Sequence, residues 1–304
     1  MDADPRVSVV VLTHNRCDEL LANLQRLAEL PERPPLIVVD NASTDDTVQR
    51  VQQRFPQVTL VRLPRNRGAA GRNAGIERAT TPYVACCDDD CWWSPGALER
   101  AADLLDLYPK LGAVAARVLV GPEEREDPTC TAMARSALDA RGLPGPALIG
   151  FMAGAVVLRR RAFVDAGGYE PRLFLGAEER LLGLDMLATG WRIAYARDVT
   201  AHHDPSPQRE EGLTRQRRVR RNTAWIAWLR LPWGSAVHET WRLWREAAAA
   251  GEAGRWLADV LPGLGWALAE RRVLPPEVER ARREVLGVPW APPRLRWRGR
   301  QRSA

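Results

Sequence analysis

The sequence predicts an α/β protein with a doubly wound, largely parallel sheet and a ligand site along the carboxyl edge of its strands. Two observations support this prediction. Short apolar runs alternate with segments of helical periodicity at least three times between residues 7 and 90. Each apolar run is followed directly by polar or acidic residues, which is typical of strands whose carboxyl ends face a ligand.

The first half of the chain supplies four strand–helix units. Residues 7–13 are almost continuously apolar, as expected for a strand buried on both faces. Strands are predicted at 7–13, 36–39, 58–63 and 83–88, and helices at 18–30, from about 45 to 55, and from about 71 to 79. Asp45 or Thr44 is expected to cap the second helix, and capping is the preferred interpretation of Asp45.

The second half is less regular. Helices are predicted at 96–108, from 161 and at 179–189, and strands at 113–120, 151–158 and 191–196. Residues 121–150 are rich in proline, glycine and charge, which predicts an irregular lid or acceptor loop. From about residue 207 the chain becomes helical, rich in arginine and holds most of the tryptophans. We therefore expect an α/β domain over 1–207 and a basic helical region over 208–304.

Bulk properties exclude some classes of protein. The 304 residues carry a net charge of +6, without an apolar run long enough to span a membrane. The first residues lack a signal-peptide pattern, so a cytoplasmic protein is expected. The five cysteines lack paired metal-ligand spacing, and buried packing is the preferred interpretation.

Three successive carboxylates end the fourth predicted strand. Strand alternation would place Asp88 and Asp90 on one side and Asp89 on the other. Adjacent carboxylates repel one another, so a cation is the expected partner. Two hard oxygen donors at a strand end would suit Mg²⁺ or Mn²⁺ and leave coordination positions for phosphates.

These landmarks together resemble the family 2 glycosyltransferases, which have the GT-A fold and use nucleotide-sugar donors. The resemblance covers roughly residues 6–203, with a nucleotide-binding half at about 6–90 and an acceptor half at about 91–207. It depends on four segments and the acidic triplet: residues 9–16, 38–45, 66–75, 88–90 and 176–179. None of these segments is specific to the family alone. Their order along the chain and their positions at strand ends together indicate the family.

The resemblance implies roles for individual residues. Asp40 would contact the donor base, which favours UDP or dTDP because a carboxylate accepts a hydrogen bond from an imide N–H. The remaining residues assigned to nucleotide-sugar binding are Thr13, Asn15, Arg72, Asn73, Asp88 and Asp89. Asp90, together with Asp88 and His203, would hold the divalent metal, Mn²⁺ or Mg²⁺. Packing is an equally good explanation for the glycines near Arg72.

An acceptor hydroxyl also needs a base. The family places an acidic pair, usually Glu-Asp, ahead of a helix, and this chain has Glu178-Glu179 instead. Glu179 is predicted as the base and Glu178 as its catalytic neighbour. The alternative is that the pair merely complements the helix dipole. Only one of His202 and His203 is expected to face the site, and His203 is preferred. Inversion of the anomeric configuration is implied by the resemblance alone.

The expected partners are a nucleotide-sugar donor and a glycan or lipid-linked acceptor of the cell envelope. The arginines and tryptophans after residue 208 leave two interpretations open, peripheral contact with the inner face of the plasma membrane or packing on the catalytic domain. Nucleic acid is not an expected partner, because no nucleic-acid-binding motif accompanies the arginines. The alternatives are a nucleotidyltransferase and a non-catalytic sugar-nucleotide or membrane-binding protein.

Overall fold

The computed structural model describes residues 5–206 and 212–287. Among them the strands are β1 (Val7–Thr13), β2 (Leu36–Asp40), β3 (Thr59–Arg62), β4 (Tyr83–Asp88), β5 (Cys91–Trp93), β6 (Leu111–Val120), β7 (Arg125–Glu126), β8 (Ala155–Arg159) and β9 (Arg192–His203). The helices of the first 206 residues are α1 (Cys17–Ala28), α2 (Thr47–Arg54), α3 (Gly71–Arg78), α4 (Ala97–Leu107), α5 (Pro128–Ala134), α6 (Arg160–Asp165) and α7 (Glu178–Ala188). The later helices are α8 (Gly212–Arg230), α9 (Trp233–Ala249), α10 (Ala253–Ala269) and α11 (Pro276–Val285).

The α/β fold class is confirmed, and the first four strands form the predicted parallel half of the sheet. Their spatial order is β3-β2-β1-β4, and every pair among them is parallel. Thr13 lies opposite Asp40, and Leu12 lies opposite Asp88. The ends of β1, β2 and β4 therefore meet at one edge, which brings the polar residues that follow them together.

The other half of the sheet is mixed rather than parallel. β8 runs antiparallel to both β4 and β6, whereas β9 runs parallel to β6. The expected strand at 191–196 continues to His203, past a register shift beside Ala116, and β5 then pairs with its end. This extension places His202 and His203 inside a strand, next to the acidic end of β4.

The segment 121–150 is more ordered than its composition predicts. It contains β7, which pairs with β6, and the short helix α5. Asp127 accepts a hydrogen bond from the backbone N–H of Thr129 at 2.7 Å, and Pro128 is the first residue of the helix. This acidic cap followed by proline is a helix-start signal, and the expectation of an irregular loop overlooked it.

The glycines of α3 allow the helix to lie close to the sheet. A methyl group at Gly75 would lie 2.5 Å from Cγ1 of Val10 and 2.7 Å from Cγ2 of Val39. At Gly71 it would lie 2.6 Å from Cδ1 of Leu12. Close packing of α3 on the sheet therefore accounts for both glycines, which is the packing explanation offered for them in the sequence analysis.

The C-terminal helices pack on the first part of the chain. Leu173, Leu181 and Leu184 share a hydrophobic core with residues of α8–α11, including Trp225 and Val260. Arg230 forms an ion pair with Asp185 of α7, with its Nη2 at 2.9 Å from Oδ2. Packing is thus established for these helices. The boundary near residue 207 stays a prediction, because residues 207–211 lie outside the described part of the chain. Arg209, the start of the predicted basic region, is among them, and residues 288–304 are likewise not described.

Candidate active site

The acidic triplet lies where β4 ends. Asp88 is the last residue of the strand and keeps its side chain 41% exposed, whereas Asp89 and Asp90 lie in the following turn and are buried. Arg16 donates from the same Nη1 to Asp89, at 2.9 Å, and to Asp90, at 3.3 Å. The expected alternation, with Asp89 opposite Asp90, is therefore wrong, because the chain leaves the extended conformation after Asp88.

Asp89 is a buried carboxylate bound by the protein itself. It accepts hydrogen bonds from Oγ1 of Thr13 and from Arg16, both at 2.9 Å. Burial, opposed by the charge of Arg16 and reinforced by the neighbouring aspartates, raises the pKa of Asp89 to about 7. Thr13 and Asp89 were both expected to contact the donor, but the structure pairs them with each other. This pair joins the ends of β1 and β4.

Asp90 and His203 come together from two strand ends. Nε2 of His203 lies 3.6 Å from Oδ1 of Asp90, and Cys91 contributes a third potential ligand atom within 4.8 Å. Burial alone would raise the pKa of Asp90, but His203, the backbone N–H of Ser206 and Arg16 lower it to about 2. Burial holds the pKa of the Cys91 thiol well above its usual range. Mg²⁺ and Mn²⁺ prefer oxygen and imidazole ligands to sulfur, so Asp90 and His203 are the better candidates.

The carboxylate and the imidazole fit a divalent cation. Two neighbouring ligand atoms of an octahedral ion with bonds of roughly 2.1 Å are about 3 Å apart, so a separation of 3.6 Å requires little movement. Asp88 is not part of this group of ligand atoms. His202, the other candidate histidine, bonds Oγ of Ser94 at 2.8 Å and stacks on Trp92 with ring centroids 5.2 Å apart.

Asp88 is oriented by Arg72, the second residue of α3. Nη2 of Arg72 donates to Oδ1 of Asp88, and the Arg72 side chain is almost fully buried. Burial alone would lower the pKa of Arg72, but the charge of Asp88, with smaller contributions from neighbouring groups such as Glu178, raises it above its ordinary value. On the other side, a methyl group at Gly154 would lie 2.6 Å from Oδ2 of Asp88. The carboxylate is therefore confined between an arginine and a glycine.

Asn73 is engaged elsewhere. Its Nδ2 donates to the carbonyl of Tyr169 at 2.8 Å, and its Oδ1 accepts from the N–H of the same residue at 3.0 Å. Both ends of the side-chain amide are thus used to hold the chain at Tyr169. The expectation that Asn73 contacts the donor has no support in this arrangement.

The expected base-binding residues lie at the ends of β1 and β2. Asp40 is 1% exposed, and its Oδ1 accepts from the backbone N–H of Ser43 at 3.0 Å. Asn15 is exposed, with φ of 55°, and its Oδ1 accepts from the N–H of Thr44 at 2.7 Å. Asp45 accepts from the N–H of Thr47 at 3.2 Å, but the N-cap position of α2 is occupied by Asp46, so Asp45 forms a turn just before the helix rather than the expected cap. These bonds fix the loop that follows β2.

The acidic pair begins α7 after a contorted segment. Phe174, Gly176 and Ala177 have φ of 63°, 93° and 67°. Glu178 is buried, and its Oε2 has no hydrogen-bond partner among the described residues. Burial, followed by the charge of Glu179, raises the pKa of Glu178 to about 7. Glu179 is half-buried and therefore remains accessible.

A polar cluster connects the acidic pair with the acidic triplet. Arg72 and Glu178 each influence the other's pKa, which places the guanidinium near the start of α7. Nε of Arg72, the hydroxyl of Tyr169 and Oε2 of Glu178 are all buried without a hydrogen-bond partner in the described part of the chain. Buried polar atoms without partners usually face a ligand or an ordered water.

Sequence reasoning missed Arg16, Tyr169 and Gly154. Arg16 belongs to the segment 9–16 but has no predicted role of its own, although an arginine close after a strand end is a signal for pairing with the neighbouring carboxylates. Tyr169 and Gly154 come from the antiparallel half of the fold. No local pattern near either residue indicates contact with the site.

Comparison with known proteins agrees with this architecture. The profile of Glycosyl transferase family 2 matches residues 8–167. A Mycobacterium tuberculosis protein, N-acetylglucosaminyl-diphospho-decaprenol L-rhamnosyltransferase, is 26% identical over 233 residues, covering 64% of this chain and 75% of the relative. Succinoglycan biosynthesis protein ExoU of Rhizobium meliloti is 28% identical over 203 residues, covering 61% of this chain and 58% of the relative.

Solved structures share the fold at low sequence identity. S. aureus TarS 1-349 in complex with UDP-GlcNAc matches with a TM-score of 0.59 and 17% identity, over 93% of this chain and 89% of that one. The mannosyltransferase PcManGT from Pyrobaculum calidifontis, in complex with GDP-Man and Mn²⁺, matches with a TM-score of 0.53 and 19% identity, over 94% and 86%. The match to the longer TarS chain spans only 39% of that chain. The sheet, the strand-end acidic residues and the family profile over residues 8–167 lead to one conclusion: the chain belongs to glycosyl transferase family 2 and is a glycosyltransferase of the GT-A fold.

Proposed function

We propose that this glycosyltransferase moves a sugar from a metal-bound nucleoside diphosphate donor to a hydroxyl group of a lipid-linked glycan, with inversion at the anomeric carbon. The observation that carries the proposal is the meeting of Asp90 and His203 at the sheet edge where β1, β2 and β4 end. In an α/β sheet this edge is the usual place for a nucleotide.

The donor side of the proposal involves Asp40, Asn15 and Asp88. Asp40 is the last residue of β2; its Oδ1 accepts from the N–H of Ser43, and its Oδ2 lies 3.9 Å from Nε of Arg62. A carboxylate there accepts from the imide N–H of uracil or thymine, which supports UDP or dTDP. Asp88, held by Arg72, is exposed enough to contact the ribose or the sugar.

The metal would be Mn²⁺ or Mg²⁺, bound by Asp90 and His203 together with the donor diphosphate. When bound, such an ion neutralises negative charge that develops on the leaving diphosphate. Arg16 offsets the charge of Asp89 and Asp90, so the protein tolerates the cluster without an ion. The Mn²⁺-containing complex of PcManGT supports this choice of cofactor.

Glu179 is proposed as the base that accepts the proton of the acceptor hydroxyl. It is the accessible member of the acidic pair, whereas Glu178 is buried beside the Arg72 cluster. A base on the face opposite the leaving group would give direct displacement, hence inversion. The strained segment before α7 sets the position of the pair.

The acceptor class follows from the later helices and from a relative. The name of the M. tuberculosis relative gives a decaprenol-linked sugar as its acceptor. In this chain, Trp233, Val237 and Trp241 lie four residues apart along α9 and are 59%, 56% and 55% exposed. No helix of the described residues is both long and apolar enough to cross a membrane. This exposed stripe suits contact with the surface of a membrane that carries the acceptor.

The proposal is tested with a panel of UDP, dTDP, GDP and ADP in a thermal unfolding assay, with and without Mn²⁺. A ligand that binds only the folded state stabilises it by about 2.7 kcal/mol at a hundredfold excess over Kd. We expect stabilisation by UDP or dTDP that requires Mn²⁺ and disappears in Asp90→Asn. Metal-independent stabilisation that survives in Asp90→Asn would contradict the proposed metal site.

A further inference from the structure

The segment that carries the acidic pair has a backbone shape that its own sequence does not favour. Phe174 and Ala177 have φ of 63° and 67°, values that residues other than glycine rarely adopt. Such a conformation is strained in a residue with a side chain, and it persists only when its surroundings impose it. The contacts that impose this conformation therefore determine where Glu178 and Glu179 point.

Several of those contacts come from α8, in the C-terminal region, while the carbonyl of Phe174 accepts separately from the backbone N–H of Ala69 at 2.7 Å. Asn222 is fully buried, and the two N–H groups of its Nδ2 serve three carbonyl groups of the segment, so one N–H is shared between two of them. The acceptors are the oxygens of Leu173 at 2.8 Å, Leu175 at 3.2 Å and Gly176 at 2.6 Å. The Oδ1 of Asn222 accepts from Nε and Nη2 of Arg221, at 3.0 and 2.9 Å, so the amide group can have only this orientation.

The same face of α8 fits the segment sterically. A methyl group at Gly176 would lie 2.8 Å from Cγ2 of Val219, one turn before Asn222. The guanidinium of Arg218 lies 5.3 Å from the ring centroid of Phe174. Since buried carbonyl groups are costly without a donor, one side chain that serves three of them holds the segment closely.

We propose that Asn222 is a positioning residue for the reaction: it fixes residues 173–177 and thereby holds the acidic pair against the acceptor. This inference rests on the proposed function and extends it, because it makes the C-terminal helices part of the catalytic apparatus. Within the described part of the chain, none of the hydrogen bonds of Asn222 reaches the donor residues at the ends of β1, β2 and β4. Loss of Asn222 should therefore spare donor binding.

The test compares Asn222→Ala with Arg230→Met as a matched control. Arg230 also joins α8 to α7, through Asp185, but among the described residues it bonds no carbonyl of the 173–177 segment. Hydrogen exchange of the amides at 174–178 is measured without ligands. We then measure two further quantities on the same proteins. The first is the affinity for UDP in the presence of Mn²⁺. The second is the rate at which nucleoside diphosphate is released from the sugar donor whose nucleotide stabilised the protein in the thermal unfolding assay.

For Asn222→Ala we expect exchange at 174–178 to be about tenfold faster and kcat to fall by ten- to a hundredfold, since small misplacements of reacting groups have effects of that order. UDP affinity should change by less than about twofold. Asn222→Ser, which keeps one donor, should lie between Asn222→Ala and the parent protein, and it replaces the alanine variant if that variant does not fold. Arg230→Met should lower the melting temperature without either effect.

Three results would overturn the proposal. Two of them concern Asn222→Ala: unchanged exchange at 174–178, or faster exchange with unchanged kcat. A fall in kcat of equal size in Arg230→Met would do the same, because it would indicate general loosening of the α7–α8 contact. Failure of the proposed function appears differently, as absence of nucleotide binding and donor turnover in the parent protein. The exchange measurement still decides whether Asn222 holds the segment.

Discussion

Replacing each member of the acidic pair separately gives opposite effects on stability and activity. Glu178 is buried with a pKa raised to about 7, against 4.5 for an ordinary glutamate. The difference of about 2.5 pKa units corresponds to about 3 kcal/mol. Glu178→Gln removes the buried charge, so it should stabilise the protein at pH 8 by up to that amount while reducing transfer less than tenfold. Glu179→Gln should leave stability nearly unchanged and lower kcat by about 10²- to 10⁴-fold.

The sign of the stability effect depends on pH. Below pH 4.5 Glu178 is protonated in both the folded and unfolded states, so its ionisation takes nothing from the free energy of unfolding. Between pH 4.5 and 7 only the unfolded state ionises, so the parent protein loses stability as pH rises. A glutamine does not ionise. The free energy difference between Glu178→Gln and the parent protein should therefore grow from pH 4.5 to 7 and stay constant above it.

Urea unfolding of both variants and the parent protein at pH 4.5, 6 and 8 measures this difference directly, and donor turnover at pH 8 measures the activity. A Glu178→Gln variant that is no more stabilised at pH 8 than at pH 4.5 would refute the reasoning about burial. If Glu178→Gln abolishes sugar transfer while Glu179→Gln retains it, the assignment of Glu179 as the base is refuted.

Two further predictions concern the donor and the membrane. Gly154→Ala should weaken UDP binding in calorimetry by about tenfold or more, because the added methyl group would lie 2.6 Å from Oδ2 of Asp88. Gly150→Ala, where a methyl group meets no atom within 4 Å, is the control; equal affinities in both variants would contradict the role of Asp88. Replacing Trp233 and Trp241 by serine should reduce cosedimentation with anionic phospholipid vesicles without changing nucleotide binding. Unchanged cosedimentation would remove the membrane from the account.

The sequence was sufficient for features that local pattern determines. The ends of β1, β2 and β4 meet as predicted, because apolar runs identify parallel strands and such strands end at one edge. Alternation along a strand also anticipates that His202 and His203 face different surroundings. It failed at Asp89, where the chain had already turned.

Some partners far apart in the chain were beyond the sequence. Asn73 bonds a residue 96 positions away, and Arg16 bonds Asp89 at a separation of 73. The Asn73 pairing depends on how the chain after β8 folds back, which no local spacing encodes. The Arg16 pairing needs only the adjacency of β1 and β4, so the predicted strand order already contained it. The three carbonyl groups bound by Asn222 are a further case, since an asparagine inside an arginine-rich helix gives no sign of its acceptors.

Glycosyl transfer itself tests the central claim most directly. The parent protein is incubated with labelled UDP- or dTDP-sugars and membrane lipids, and label is measured in the lipid fraction. We expect label from one donor, its loss on chelation of divalent metal, and its absence with Glu179→Gln. A parent protein that binds the nucleotide but transfers no label from any donor, with or without Mn²⁺, would contradict the proposed reaction.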